Sequence, residues 1–232
     1  GGVVLVGLGC EMNLMEGMLD DLELRPGVPL ASFTVQEIGG TKAAIEHGVA
    51  ALESMAPVVA DVAREEIPVS ELVLGLNCGG SDGWSGLTAN PALGHASDLI
   101  VAQGGRSVLA ETPEIYGAEQ LLIERAVRPD IAEALLDRLT WWEEYTAAAG
   151  GSLDNNPSPG NKDGGITTIL EKSLGAVAKA GSAPLTAVYE FAEPITERGL
   201  SFMDTPGYDP VSVTGLIAGG CTLIAFTTGR GS

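Results

Sequence analysis

Six short apolar runs in this chain stop abruptly in side chains able to do chemistry: Cys10-Glu11, Gln36-Glu37, Asn77-Cys78 with Ser81-Asp82, Glu111-Thr112 with Glu114, Asp204-Thr205, and Thr227-Thr228 with Arg230. Carboxylates serve general acid–base work, and amides and hydroxyls pair with a polar ligand. Thiols beside carboxylates can also hold a metal. A single Asp or Ser after a strand is most often a helix cap, whereas six such ends in succession point to a shared site. The run from Leu74 to Gly94, LGLNCGGSDGWSGLTANPALG, carries the densest set. Its glycines, with Gly219-Gly220 and Gly229 later in the chain, let backbone amides approach an anion or turn with positive φ. No GxGxxG follows a strand and no GxxxxGK[ST] occurs, so nicotinamide and P-loop chemistry lack their signatures.

The elements that position these groups alternate. Strands are expected over residues 3–6, 32–35, 71–76, 107–110, 187–190, 200–203 and 222–226. Between them lies a helix capped by Thr41, with Ile45, Val49, Leu52 and Ala56 at helical spacing, which Pro57 is expected to kink or end. Further helices are expected over 91–103, 129–148 and 166–180. Such alternation implies an α/β fold with a parallel sheet covered on both faces, and that sheet would bring all six strand ends to one edge. Residues 65–70, EEIPVS, are the best internal boundary, and residues 150–165 form a long polar loop read as functional. Its Asn155, Asn156, Asn161 and Lys162 suit a ligand rich in hydroxyl and carboxyl groups.

Composition narrows the partners. A formal net charge of −19 leaves no basic patch to replace phosphate counterions, which argues against nucleic acid. No apolar run approaches the roughly 18 residues of a membrane span. Cys10, Cys78 and Cys221 fit reduced thiols in a cytoplasmic protein better than a disulfide framework. Cys10 and Cys78 end strands that can lie side by side, so either a shared metal or two structural thiols is open, whereas Cys221 reads as core. His47 falls mid-helix, and His95 is a candidate for acid–base work. The chain opens within a strand pattern and closes on a glycine-rich turn, so it is expected to be a fragment.

Taken together, VGLGCEMN, VQEIGGTKAAIEHG, LNCGGSDGWSGLTANPALG, ETPEIYGAEQLL, WWEEY, NNPSPGNKDGGITTILEKSLGAVAKAG, FMDTPGYDPVS and FTTGRGS resemble the altronate/galactarate dehydratase family of sugar-acid dehydratases. The asparagine-rich block and WWEEY look closest to its altronate branch. The resemblance implies a cytoplasmic hydro-lyase giving a 2-keto-3-deoxy acid, Fe2+ (or another divalent cation in its place), a sugar-acid substrate and a homodimer in the full-length protein. It also implies that residues 1–64 end a middle, dimerisation-type region and that residues 68–232 form most of a Rossmann-like three-layer α/β/α catalytic domain with a mainly parallel sheet. Such a reaction abstracts a weakly acidic proton next to a carboxylate and expels a β-hydroxyl, so it needs cations and a proton donor. Cys10, Glu11 and Cys78 are then the expected metal ligands, with Lys172, His95 and Asp82 as catalytic groups. Arg230 and Lys162 would hold the substrate carboxylate, and Ser81, Asn155 and Asn156 its hydroxyls. Galactarate dehydratase, sulfolactate sulfo-lyase and a non-catalytic sugar-acid-binding or dimerisation module are the alternatives on the same framework.

Overall fold

The structure, a computed structural model, describes residues 1–22 and 24–231, so Ser232 of the FTTGRGS motif lies outside the described residues. The chain forms two compact units, Gly1–Glu66 and Ile67–Ser232. In the first, β1 (Val3–Gly7) and β2 (Leu30–Thr34) pair in parallel from Val3↔Leu30 to Gly7↔Thr34. They are joined through α1 (Met15–Asp21) and followed by α2 (Thr41–Ala60), which buries Ala44 and Met55. Thr41 is the first helical residue here; Gly40, at φ 105°, occupies the cap. The helix also runs past Pro57 to Ala60, because a proline one turn from the end disturbs little of the ladder and its carbonyl still accepts Asp61 N–H at 3.1 Å.

The second unit is a three-layer α/β fold. In chain order it comprises β3 (Val73–Cys78), α3 (Asn90–Ala102), β4 (Arg106–Leu109), α4 (Gln120–Ile123), α5 (Pro129–Ala148), α6 (Pro159–Asp163), α7 (Ile169–Ala178), β5 (Leu185–Tyr189), β6 (Gly199–Met203), α8 (Asp209–Ala218) and β7 (Leu223–Thr227). The five strands are all parallel, in the order β5-β6-β4-β3-β7. All six residues of the central β3 are buried, as a parallel strand covered on both faces requires. Alternation divides the core between the faces. Leu74, Leu76, Leu109, Leu200 and Phe202 pack with residues of α3, α5 and α7, while Val73, Val108, Ala110 and Met203 pack with Leu216 of α8. Among the described residues, no helix is long and apolar enough to cross a membrane.

One expectation changes. The strand ends do not share a single sheet edge, because β1 and β2 form a separate two-stranded sheet. Cys10 therefore does not end a strand beside that of Cys78. Within the five-stranded sheet, β3 connects through α3 to β4 on one side, whereas β7, reached through α8, lies on the other side of β3. This is a topological switch point, and ligands bind beyond the carboxyl ends of strands at such a point. The β3–β7 ladder runs to Cys78↔Thr227, so the loops after both strands leave together.

Leu76 has no solvent exposure and sits in the core beneath this edge. Leu76→Ala is expected to cost about 2–5 kcal/mol, read as a lower urea midpoint at unchanged slope.

Candidate functional site

The carboxyl edge of the sheet is built over two buried lysines on one helix face. Lys172 lies within α7 and Lys179 directly follows it, seven residues on, which is two turns and the same face. Lys179 is wholly buried. Its Nζ lies 2.7 Å from Glu111 Oε2 and 3.1 Å from Cys78 Sγ, and Glu111 Oε2 also accepts the Cys78 N–H at 3.2 Å. Burial alone would draw the Lys179 ammonium down, but Cys78 and Glu111 beside it hold it above the ordinary lysine range. Burial pushes the Cys78 thiol up, opposed by the Lys179 charge.

Glu111 pays for its place in backbone strain, with φ 70° in the left-handed region. Its N–H donates to Thr205 Oγ1 at 2.8 Å, and its carbonyl accepts Glu114 N–H at 2.8 Å. The resulting tight turn aims Glu114 at Lys172. Lys172 Nζ stands 2.9 Å from Glu114 Oε2, an ion-pair distance without hydrogen-bond alignment, and 3.1 Å from Oε1. It also donates to Asn156 Oδ1 at 2.7 Å and Asn161 Oδ1 at 3.1 Å. Asn161 in turn donates to the Ser81 carbonyl at 2.9 Å, tying the long polar loop to the loop after β3.

Two cavities meet at Cys78, Ser81 and Lys172. One, of about 400 Å³, is walled largely by Leu87, Ile166, Leu170 and Leu174. The other, of about 320 Å³, is polar: Glu114, Asn156, Asn161, Lys172 and Asp209 converge on it over Gly79 and Gly80. A hydroxylated anion leaves fewer polar groups unpaired in the second, so the polar cleft is the candidate site. Glycine is required at its floor, since a Cβ on Gly79 would lie 2.3 Å from the Phe226 ring and 2.5 Å from Asp209 Oδ2.

Of the residues expected from sequence, Ser81, Asn156, Lys172 and Cys78 line this cleft. Asp82 is buried in the adjoining loop, where it accepts Ser85 N–H at 2.8 Å and stands 3.4 Å from Arg230 Nε. Arg230 also donates to the Gly160 carbonyl at 2.8 Å, so it joins three loops and does not line the cleft. Asn155 and Lys162 are exposed next to inward-facing Asn156 and Asn161. His95 is exposed on α3, whose buried positions are Asn90, Leu93, Gly94 and Ser97, and it lines neither cavity. Cys10 and Glu11 belong to the first unit, where the Glu11 carboxylate accepts the Leu8 and Gly9 amides and Cys10 is exposed. Cys221 is core, its thiol pushed up to about 12 by burial.

The Fe2+ expectation does not fit the donors gathered here. Among the described residues no group of three or more His, Cys, Asp or Glu side chains is placed to hold a metal ion. Cys78 faces an ammonium, which opposes a second cation.

Lys179 and Asp209 are the site residues that the choice of candidates from sequence passed over, and Glu114 was read there as a strand-end group with no role assigned to it. The available signal was the pair of lysines two turns apart on a helix otherwise apolar on that face, with Ser173, Ala176 and Val177 buried beside them.

Lys179→Met strands Glu111 without its cation and is expected to lower stability by about 3–5 kcal/mol. Lys179→Met combined with Glu111→Gln is expected to lose less than the sum of the two single changes, measured by urea unfolding.

Comparison with known proteins agrees with this architecture. The family model described as "D-galactarate/Altronate dehydratase, C-terminal" matches residues 69–232, and "D-galactarate dehydratase/Altronate hydrolase, second domain" matches residues 1–60. An altronate dehydratase of Bacillus subtilis (strain 168) is 43% identical over all of this chain and 46% of its own length. An altronate dehydratase of Escherichia coli (strain K12) is 40% identical over all of this chain and 46% of its own length. The galactarate dehydratase (L-threo-forming) of Escherichia coli (strain K12) is 37% identical over all of this chain and 45% of its own length. The chain thus spans about half the length of the curated relatives it matches. It belongs to the D-galactarate/altronate dehydratase family, a family of lyases.

Proposed function

We propose that this chain carries the reacting centre of a cytoplasmic hydro-lyase that removes water from altronate to give a 2-keto-3-deoxy acid. The observation that carries the reading is the Lys172 ammonium, held in the polar cleft by Glu114, Asn156 and Asn161. Two of its three partners are neutral amide oxygens. A substrate carboxylate that replaces one of them exchanges a dipole for a charge, which strengthens the contact in a partly desolvated cleft. The displaced amide then serves a substrate hydroxyl, as does the Ser81 side chain.

The same cation answers the energetic problem of the reaction. Removing a proton next to a carboxylate builds negative charge on that group, and a fixed ammonium at the carboxylate stabilises the charge as it forms. Glu114 holds Lys172 in place, and Asn161 ties its position to the loop after β3. Three free thiols suit the reducing cytoplasm assigned here.

The test assays the full-length protein with altronate, galactarate and sulfolactate, supplying Fe2+ and a reductant, and follows keto-acid formation. Altronate is expected to be the best substrate. Lys172→Met is expected to lower kcat/KM by about 10²–10³-fold. Absence of product from all three acids contradicts the reading.

A further inference from the structure

A lyase site needs a base for the C2 proton, and most of the ionisable groups near the polar cleft are already engaged. Glu114 has one oxygen hydrogen-bonded by Lys172 and Asn156 and the other in ion-pair contact with the same ammonium. Asp82 is buried in its own loop with Ser85 and Arg230, outside the lining of that cleft. Asp209 differs. It is the first residue of α8, lines the cleft, and is only partly buried.

One of its oxygens is held by a hydrogen bond from the end of β3. Asn77, fully buried at the end of β3, donates from Nδ2 to Asp209 Oδ1 at 3.4 Å. Asn77 is oriented in turn by Ser212 Oγ, which donates to its Oδ1 at 2.9 Å, and Ser212 meets Thr205 Oγ1 at 2.9 Å. Thr205 Oγ1 accepts the Glu111 N–H, so the chain of contacts that aims Asp209 begins at the strained residue beside Lys179. Asp209 Oδ2 lies against Gly79 at the edge of the cleft, where a Cβ would come within 2.5 Å of it.

We propose that Asp209 is the general base of this site, taking the substrate's C2 proton on Oδ2, with Asn77 as its positioning residue. This rests on the lyase reading above. The C2–H electron pair is first held on the substrate carboxylate as an enediolate beside Lys172, and it then forms the C2–C3 double bond as the C3–O bond breaks. The hydroxide that departs balances the proton removed, so the substrate loses one water and no oxidant or reductant takes part. The enol left behind ketonises to the 2-keto-3-deoxy acid.

The electrostatics agree. Burial raises the Asp209 carboxyl above the ordinary aspartate range, and Glu114 adds to the rise. Hydrogen bonding from Asn77 and the charges of Lys179 and Lys172 pull the other way; the Cys78 thiol lines the same cleft. A raised carboxyl is a better base once ionised. Activity is then lost as pH falls through that raised value.

Asp209→Asn in the full-length protein tests this with altronate, Fe2+ and reductant. The expected result is a kcat lower by about 10²–10⁴-fold with KM near that of the wild type, and loss of C2 proton exchange with D2O by NMR. A kcat within about tenfold of wild type, or continued exchange at the wild-type rate, overturns the proposal. Should Asp209→Asn not fold, Asp209→Glu decides: a reduced kcat with a displaced acid limb supports the assignment, and an unmoved acid limb overturns it. A wild-type protein that neither dehydrates nor exchanges any of the three acids removes the lyase reading itself, an outcome distinct from an active Asp209→Asn.

Discussion

A lysine ammonium wholly out of contact with solvent survives only where anions and dipoles replace the water it has lost. Lys179 meets that demand by drawing the ends of β3 and β4 together, with Cys78 from one and Glu111 just after the other. Much of the carboxyl edge follows. Glu111 accepts a left-handed backbone to reach the ammonium, and its strained turn places Glu114. Glu114 then pairs with the second lysine of the same helix face, and that lysine gathers the asparagines of the long polar loop. The buried pair is weak evidence for stability, because similar apolar groups can do as well. Its contribution is to fix one arrangement of charged groups at the switch point of the sheet.

The two cavities that meet at Cys78, Ser81 and Lys172 divide the chemistry of this edge. A sugar acid carries a hydroxyl on most of its carbons, and each one buried against leucine goes unpaired at a cost of about 1–3 kcal/mol. The polar cleft avoids that cost, lined as it is by the amides of Asn156 and Asn161 and by the charged groups of Glu114, Lys172 and Asp209. Its floor is glycine for a steric reason, since a methyl group at Gly79 would collide with Phe226 and with Asp209. The loop that ends β3 thus packs closely against β7 and the start of α8.

How far this was legible in sequence follows from geometry. The continuous apolar run ending in Asn77-Cys78 announced a central parallel strand, because burial on both faces removes the polar alternation of a half-exposed one. The second unit's three-layer parallel architecture was readable for the same reason. What stayed hidden were rotations and pairings. Neighbouring residues on a helix or tight turn point far apart, so Asn156 faces the cleft while Asn155 does not, and Asn161 does while Lys162 does not. His95 sits one position past Leu93 and Gly94, enough to turn it to the exposed face of α3. Strand order was equally hidden, since nothing in the local pattern of residues 3–6 tells which sheet they join. Lys179 stands at the end of α7, where sequence pattern alone does not distinguish a solvated lysine from a buried one.

We propose that the polar cleft binds a sugar acid by its carboxylate on Lys172. A crystal structure of the full-length protein holding altronate tests it most directly. The account predicts the carboxylate hydrogen-bonded to Lys172 Nζ in place of an asparagine oxygen, with C2 facing Asp209. Altronate bound in the leucine-walled cavity or elsewhere, with Lys172 still bonded to both Asn156 and Asn161, would contradict it.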